Sequence, residues 1–390
     1  MGRSIRIVSV SSAYRKQLNG KEKEESKSGP VVYDSTDWHQ VLFQCFGSAW
    51  PKVIPYCIGN VLLMIVVTLL KEYEIIDLST SSKTHSLMGM VVSFLIVARV
   101  NTALSRYSVC RGDVNIMYRE ARQLIQNAIV LTNRHGNVDK KSREWRNEFT
   151  YRSLVLLRTS IAVVEYYSKG LSGWECPELS GLEAAYVTPS DLWKCNSSNN
   201  DHGNDYCNTM RVPFRIEYLL RKTVVEQNKR LVDPLDVRHE SKFLNGIDSF
   251  MVGFHGVTKF ITTPVPFPLI QMTRTIILIY IYTIPLILLK IEGTKDFSEE
   301  WVWNCISTFI LTYGFMGLEL VAIELDDPFG DDENDFDTLA FARMVFEDTY
   351  LLISEADGEE WANKLRKKMG CQEGPRNTSF SSFNFGSSSS

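Results

Sequence analysis

Apolar residues in this chain gather into a few long uncharged runs, and most of the charge lies between them. From Val53 to Leu70 the run VIPYCIGNVLLMIVVTLL carries no charge between Lys52 and Lys71. With Trp50 and Pro51 at the interface it can cross about 30 Å of hydrocarbon. A second run, Trp301 to Leu318, opens with two tryptophans suited to the headgroup region and is followed by Glu319 and Glu324. A third, Thr275 to Leu289, extends back through Arg274 to Pro268, and Pro285 should kink it. The fourth is shorter and half polar. Thr84 to Ala98 holds His85, Ser86, Gly89 and Ser93, then runs into Arg99, Asn101, Thr102, Ser105 and Arg106. Lipid rejects such a helix, whereas neighbouring helices or water accept it. A buried helix of a soluble protein has the same pattern. The spanning run just upstream makes a pore-lining or bundle-interior helix the expected reading. The predicted membrane helices are 48–71, 84–106, 266–290 and 301–323.

Between the second and third of these, apolar residues recur at helical spacing. Asp113 is placed to cap a helix bearing Ile116, Leu124, Ile125, Ala128 and Leu131. Trp145, Phe149, Leu156, Leu157, Ile161 and Val164 mark another, ending near Gly170. Residues 170–210, rich in Ser, Asn, Asp and Gly, read as a long loop. Helices resume at about 213–232 and 240–261. Their apolar faces are too many to be solvated, so the part from about 110 to 262 should pack as a helical bundle continuous with the membrane helices. A further helix is expected to begin near Thr338, and the C-terminal part, 346–372, is also read as helical. No strand alternation of any length occurs. The fold class is all-α, a membrane protein with four transmembrane helices and a cytosolic helical bundle. Residues 1–30 and 373–390 read as disordered tails flanking one domain of 31–345.

Composition alone points elsewhere: 44% hydrophobic and 23% charged residues would suit a soluble protein. A net charge of −4 offers no basic field for nucleic acid. Arg and Lys cluster at the membrane ends of the central segment, at Arg99, Arg106, Arg111, Arg119, Arg122 and Lys259. By the positive-inside tendency that segment and both termini lie on the cytosolic side or its organellar equivalent. The first residues, basic and serine-rich with no acid before Lys21, resemble an organelle transit peptide as much as a cytosolic tail. Plasma membrane and plastid membrane both fit. Eight cysteines lack any CxxC pair, which argues against a zinc site. Cys176, Cys195 and Cys207 share one loop and could pair only in an oxidising space. The sequon at Asn196 would be unused on the cytosolic side.

Four separated stretches resemble the bestrophin family, especially its plant, algal and bacterial branch. They are Val31-Val32-Tyr33-Asp34 with Asp37-Trp38; Ser93-Phe94-Leu95-Ile96-Val97 through Arg99, Asn101-Thr102-Ala103 and Arg106-Tyr107; Ile261-Thr262-Thr263-Pro264-Val265-Pro266; and Glu324-Leu325-Asp326-Asp327-Pro328-Phe329-Gly330 with Asn334-Asp335. The resemblance implies a homopentameric anion channel in a lipid bilayer, with five copies of the second membrane helix around the pore neck. Chloride is the expected permeant ion, with bicarbonate or another monovalent anion as possible alternatives.

Met90, Phe94 and Ala98 fall at i, i+4 and i+8, on one helix face. Spacing alone reads most simply as helix packing. The resemblance places the three on the rings of the neck, where apolar rings can close a pore by expelling water. Ala98 stands where animal members carry a bulky aromatic, so Phe94 and Met90 should be the tighter rings. Arg99 is expected to raise the positive potential beside the neck, with Ser93 and Asn101 as polar groups for a partly dehydrated anion.

From Asp326 to Asp337 seven of twelve residues are carboxylates, hard ligands of the kind calcium prefers. The order is not that of an EF-hand. The resemblance implies a calcium site with Asp332 and Asp335 as side-chain ligands, completed by backbone oxygens and a neighbour's N-terminal segment. Glu333-Asn334 interrupts the acidic run. A solvated acidic turn capping the next helix explains the same residues.

Two other functions are open to a four-span protein. A secondary transporter usually shows paired repeats and intramembrane acids, and a regulatory membrane scaffold needs no conduit. No repeat is visible. Six histidines form no HExxH or triad-like order, and no Walker or GxGxxG loop precedes a helix, so no enzyme is expected.

Overall fold

The computed structural model describes residues 38–44, 46–75, 82–133, 139–168, 211–289, 297–330 and 334–369. Both expected tails, the 170–210 loop with its cysteines and sequon, and Asp332 lie outside them. Among the described residues there is no strand. Ten α-helices follow in order: α1 (Trp38–Phe43), α2 (Trp50–Glu72), α3 (Ser82–Thr132), α4 (Lys140–Ser168), α5 (Arg211–Val225), α6 (Val237–Thr262), α7 (Phe267–Leu288), α8 (Phe297–Asp326), α9 (Thr338–Asp357) and α10 (Glu359–Lys368).

α2, α7, α8 and the first part of α3 are long and apolar enough to cross a membrane. They alternate in direction. The end of α2 meets the end of α7, where Lys71 Nζ donates to the Leu289 carbonyl at 2.7 Å. The start of α2 meets the end of α8, where Lys52 pairs with Glu324 at 2.8 Å. We call the latter side the inner face. Within the bundle polar residues join helix to helix alongside the apolar core. Pro285 has no N–H to donate to the Ile281 carbonyl one turn earlier. The fully buried Asn60 of α2 supplies the missing donor, Nδ2 to Ile281 O at 3.1 Å, and donates also to Thr312 Oγ1 of α8 at 2.7 Å. The predicted kink residue thus opens an acceptor that ties three helices together.

The second membrane helix does not end near residue 106. α3 runs unbroken for 51 residues, about 77 Å at 1.5 Å per residue, against about 30 Å of hydrocarbon. It contains no proline, and the cap expected at Asp113 does not form. Asp113 lies in mid-helix against α6. A side chain added at Gly256 would strike its carboxylate, and one at Gly253 would lie 2.8 Å from its backbone carbonyl. The absence of those two side chains lets α6 press directly onto α3. The single rod therefore belongs to both the membrane bundle and the helical part below it.

That lower part is built on α4. Trp145 and Phe149 stack at 5.2 Å and Phe243 of α6 meets both rings edge-on. The Trp145 indole N–H donates to the Thr223 carbonyl at 3.1 Å, closing α5 onto the cluster. The helix expected over 213–232 stops at Val225 and passes through one 3-10 turn, Glu226–Lys229. There the buried Gln227 amide bonds both backbone groups of Leu235, replacing the helical ladder by a side chain. The C-terminal part is two helices rather than one. Gly358 (φ 94°) breaks it in the left-handed region that suits glycine, separating α9 from α10.

Beside the break, Asp357 turns inward to Arg146 of α4, and both side chains are at or below 1% exposure. Arg146 Nε reaches Asp357 Oδ2 at 2.9 Å, while Nη1 donates to the last residue of α3, Thr132, at its carbonyl and hydroxyl. One guanidinium thus joins α3, α4 and α9. Replacing Asp357 by Asn should destabilise the protein by about 3–5 kcal/mol, since the buried cation loses its counter-charge. Thermal unfolding in detergent measures this; an unchanged midpoint would contradict it.

Candidate functional site

α3 turns about 100° per residue, so its residues sort into stripes. Val92, Ile96, Arg99 and Ala103 are buried against the other helices. On roughly the opposite side Leu87, Met90, Phe94, Ala98, Asn101 and Ser105 are exposed in the single chain. Met90 and Phe94 are each 72% exposed. Of the residues expected at the neck, all three thus share one uncovered face, and Asn101 continues it. Ser93 is exposed on the flank of that face. Beyond Ala98 the stripe becomes polar without leaving its line, through Asn101, Ser105, Ser108 and Asn115.

Arg99 does not join them. It is 4% exposed and turned to the packed side, where its guanidinium pairs with Asp326 at the end of α8. The expectation that Arg99 adds positive potential beside the neck is therefore corrected: its charge is neutralised inside the subunit. The local sequence offered an arginine near polar residues, but its partner stands far away in the chain. A second intramembrane pair joins Arg274 of α7 to the buried Glu319 of α8 at 2.9 Å. Glu319 follows the uncharged run Trp301–Leu318 inside the helix expected over 301–323, and α8 carries on through it to Asp326.

Below the membrane the stretch 261–266 and the acidic turn both meet α3. Arg106 of α3 donates from Nη2 to the carbonyls of Phe260 (3.1 Å) and Thr263 (2.9 Å) and lies over the Phe260 ring at 4.9 Å. A cation thus closes the C-terminus of α6, where its last carbonyls lack partners, and fixes the Thr263-Pro264-Val265-Pro266 link into α7. Tyr107 packs on Phe336 at 5.1 Å, and Phe336 meets Phe329 edge-on.

The acidic turn is tied in by donors of the chain itself. Asp326 takes Arg99, Asp327 takes the Ser168 hydroxyl, and Glu324 takes Lys52. The Asn334 amide bridges Glu324 Oε2 (3.3 Å) and the Gly47 carbonyl (3.1 Å), so it holds the segment before α2 against the turn. Asp335 is buried at 3%. Among the described residues no three His, Cys, Asp or Glu side chains converge as a metal site.

A family model described as Bacterial/Fungal Bestrophin protein matches residues 31–349. The chain belongs to this family. As a bestrophin it is an integral membrane protein, in keeping with its four apolar spans. Among similar proteins are the voltage-dependent anion channel-forming protein alr2987 of Nostoc, 22% identical over 298 residues, 76% of this chain and 86% of that one. Another is the voltage-dependent anion channel-forming protein YneE of Escherichia coli, 21% identical over 330 residues, 84% of this chain and 95% of that one. The fold matches a solved bacterial bestrophin homologue from Klebsiella pneumoniae with a TM-score of 0.60 at 16% identity, over 78% of this chain and 99% of that one. A second solved structure, titled only as a membrane protein, gives 0.59 at 16% identity over 79% and 98%.

The Arg99–Asp326 pair in this bestrophin makes a measurable claim. Arg99→Met alone should lower the unfolding midpoint, and Arg99→Met with Asp326→Leu should recover at least half of the loss, since neither charge is then stranded. Independent, additive losses would show that the two side chains do not pair in the folded protein.

Proposed function

We propose that this bestrophin is an anion channel, a homopentamer in which five copies of α3 surround one conduit. The observation that carries the reading is the uncovered stripe of α3. In each subunit the helix is packed along Val92, Ile96 and Arg99 and left bare along Met90, Phe94 and Ala98. A symmetry axis along that stripe turns each residue into a ring. The apolar rings of Met90 and Phe94 form the narrow part, wide enough to conduct when wetted and closed when water leaves. The polar continuation through Asn101 and Ser105 lines a wetter space beneath. The anion-channel names of the Nostoc and Escherichia coli relatives support the same function.

Anion preference then comes from neutral donors. With Arg99 held by Asp326, polar groups that face the ion nearest the rings are the Asn101 amide and the Ser93 hydroxyl. Such dipoles stabilise a partly dehydrated chloride or similar monovalent anion without trapping it, which a buried fixed charge would tend to do. The pairs Arg99–Asp326 and Arg274–Glu319 leave the bundle locally neutral. A carrier or a non-conducting scaffold is the competing reading. Planar bilayers separate them, because a channel gives discrete current steps and a carrier gives flux without steps.

In that recording Phe94→Ala should raise unit conductance about twofold or more and weaken closure, because the widest apolar ring residue is removed. Unchanged conductance and open probability would contradict the assignment of Phe94 to the conduit.

We propose separately that calcium regulates the channel through the acidic turn. Asp335 and Asp332 would be its side-chain ligands, hard oxygens of the type calcium takes. The expected result is a calcium-dependent open probability that Asp332→Asn with Asp335→Asn abolishes. Wild-type currents indifferent to calcium would remove the proposal.

A further inference from the structure

On the side of α3 turned away from the uncovered stripe, Gly89 faces α7. A methyl group built on it would lie 2.6 Å from the Tyr280 hydroxyl, with the ring carbons behind at 3.2 and 3.3 Å. Tyr280 is not free to yield. His85, one turn earlier on α3, stacks on its ring at 4.2 Å, and Phe315 of α8 meets it edge-on at 5.2 Å. Tyr280 belongs to one buried apolar cluster with Val92, Ile96, Ile277 and Ile284. The Gly89 direction and the mean direction of Met90, Phe94 and Ala98 differ by about 140° around the helix, at 100° per residue. A push on α3 at Gly89 therefore drives those rings toward the axis.

We propose that Tyr280 is the strut that sets the bore of the conduit, and that the hydrogen side chain of Gly89 sets how far α3 stands back on it. This rests on the reading of the Met90–Ala98 stripe as the wall of an oligomeric conduit. The strut acts through α3, so Tyr280 and Gly89 are positioning residues. They decide the size of anion that passes without touching it. The contact lies between an aromatic side chain and a backbone, so a small change in side-chain volume is transmitted as a shift of the whole helix rather than absorbed by a rotamer. Five copies move together, so a displacement of a few tenths of an ångström per helix acts on the entire ring.

The test compares wild type, Gly89→Ala, Gly89→Ala with Tyr280→Phe, and Tyr280→Leu as purified oligomers in planar bilayers. Unit conductance is recorded together with the permeability of a large anion, thiocyanate or gluconate, relative to chloride. Gly89→Ala should lower conductance about twofold or more and exclude the larger anion. Tyr280→Phe on that background removes the clashing oxygen and should restore most of both. Tyr280→Leu removes the strut and should raise conductance and large-anion permeability, an outcome that keeps the proposal testable even where Gly89→Ala fails to assemble. Phe94→Ala serves as the reference. Should Phe94→Ala change conductance while Gly89→Ala and Tyr280→Leu leave it at the wild-type value, the strut is wrong and the conduit stands. Should none of the three change it, the conduit itself is wrong. A Gly89→Ala loss that Tyr280→Phe does not relieve would also overturn the strut.

Discussion

Val92, Ile96, Arg99 and Ala103 lie on one stripe of α3, and their burial fixes the rotation of that helix about its own axis. Everything proposed for this protein depends on that rotation. A turn of one residue, about 100°, would bring Arg99 to the open place of Ala98 and carry Met90 to that of Gly89, against Tyr280. What prevents it is a combination of apolar burial against α7 and α8 and one charge pair. A guanidinium at the inner end of a membrane helix has few places to go, and Asp326 supplies the one that also satisfies a carboxylate. The same interaction that holds Arg99 on the packed side keeps Met90 and Phe94 on the uncovered one.

The inner face extends this logic. Lys52 with Glu324, Arg99 with Asp326, Ser168 with Asp327, and Asn334 with Gly47 form a belt in which each acidic group at the end of α8 takes its donor from a different element. Arg106 adds the C-terminus of α6 to the same region. The belt connects the start of α2, the inner end of α3 and the acidic turn through direct contacts. A change at the turn thus has a short physical route to the helix that bears Met90 and Phe94, since Asp326 is at once part of the acidic stretch and the partner of Arg99. The uninterrupted α3 supplies the longer route, because a rod shared by membrane and lower bundle cannot shift in one without the other.

Within the bilayer the helices are joined by specific polar contacts as well as by shape. Asn60 answers the acceptor that Pro285 frees, and Thr312 completes the link to α8. Lipid tails offer helices little hydrophobic reason to associate, so such bonds and close side-chain fits carry more of the burden than they would in water. The contact of Tyr280 with the Gly89 position belongs to the second kind.

The runs from Val53, Thr275 and Trp301 were legible as membrane helices because exclusion from water is a property of each stretch by itself. The odd polarity of the fourth helix, the all-α class, and the shared face of Met90, Phe94 and Ala98 followed from local spacing in the same way. The partners were not legible. Asp113 looked like a cap because a cap is a local device, and only the arrival of α6 with Gly253 and Gly256 made it a mid-helix residue. Gly358 looked like any glycine until Asp357 found Arg146. Arg99 looked like a pore charge, and only the fold brought Asp326 to it from more than 200 positions away. A chain's periodicity states which side of a helix differs from the other. Whether a charge on that helix meets water or a counter-charge is settled by elements distant in sequence, because pairing energy depends on proximity in space and leaves no local trace.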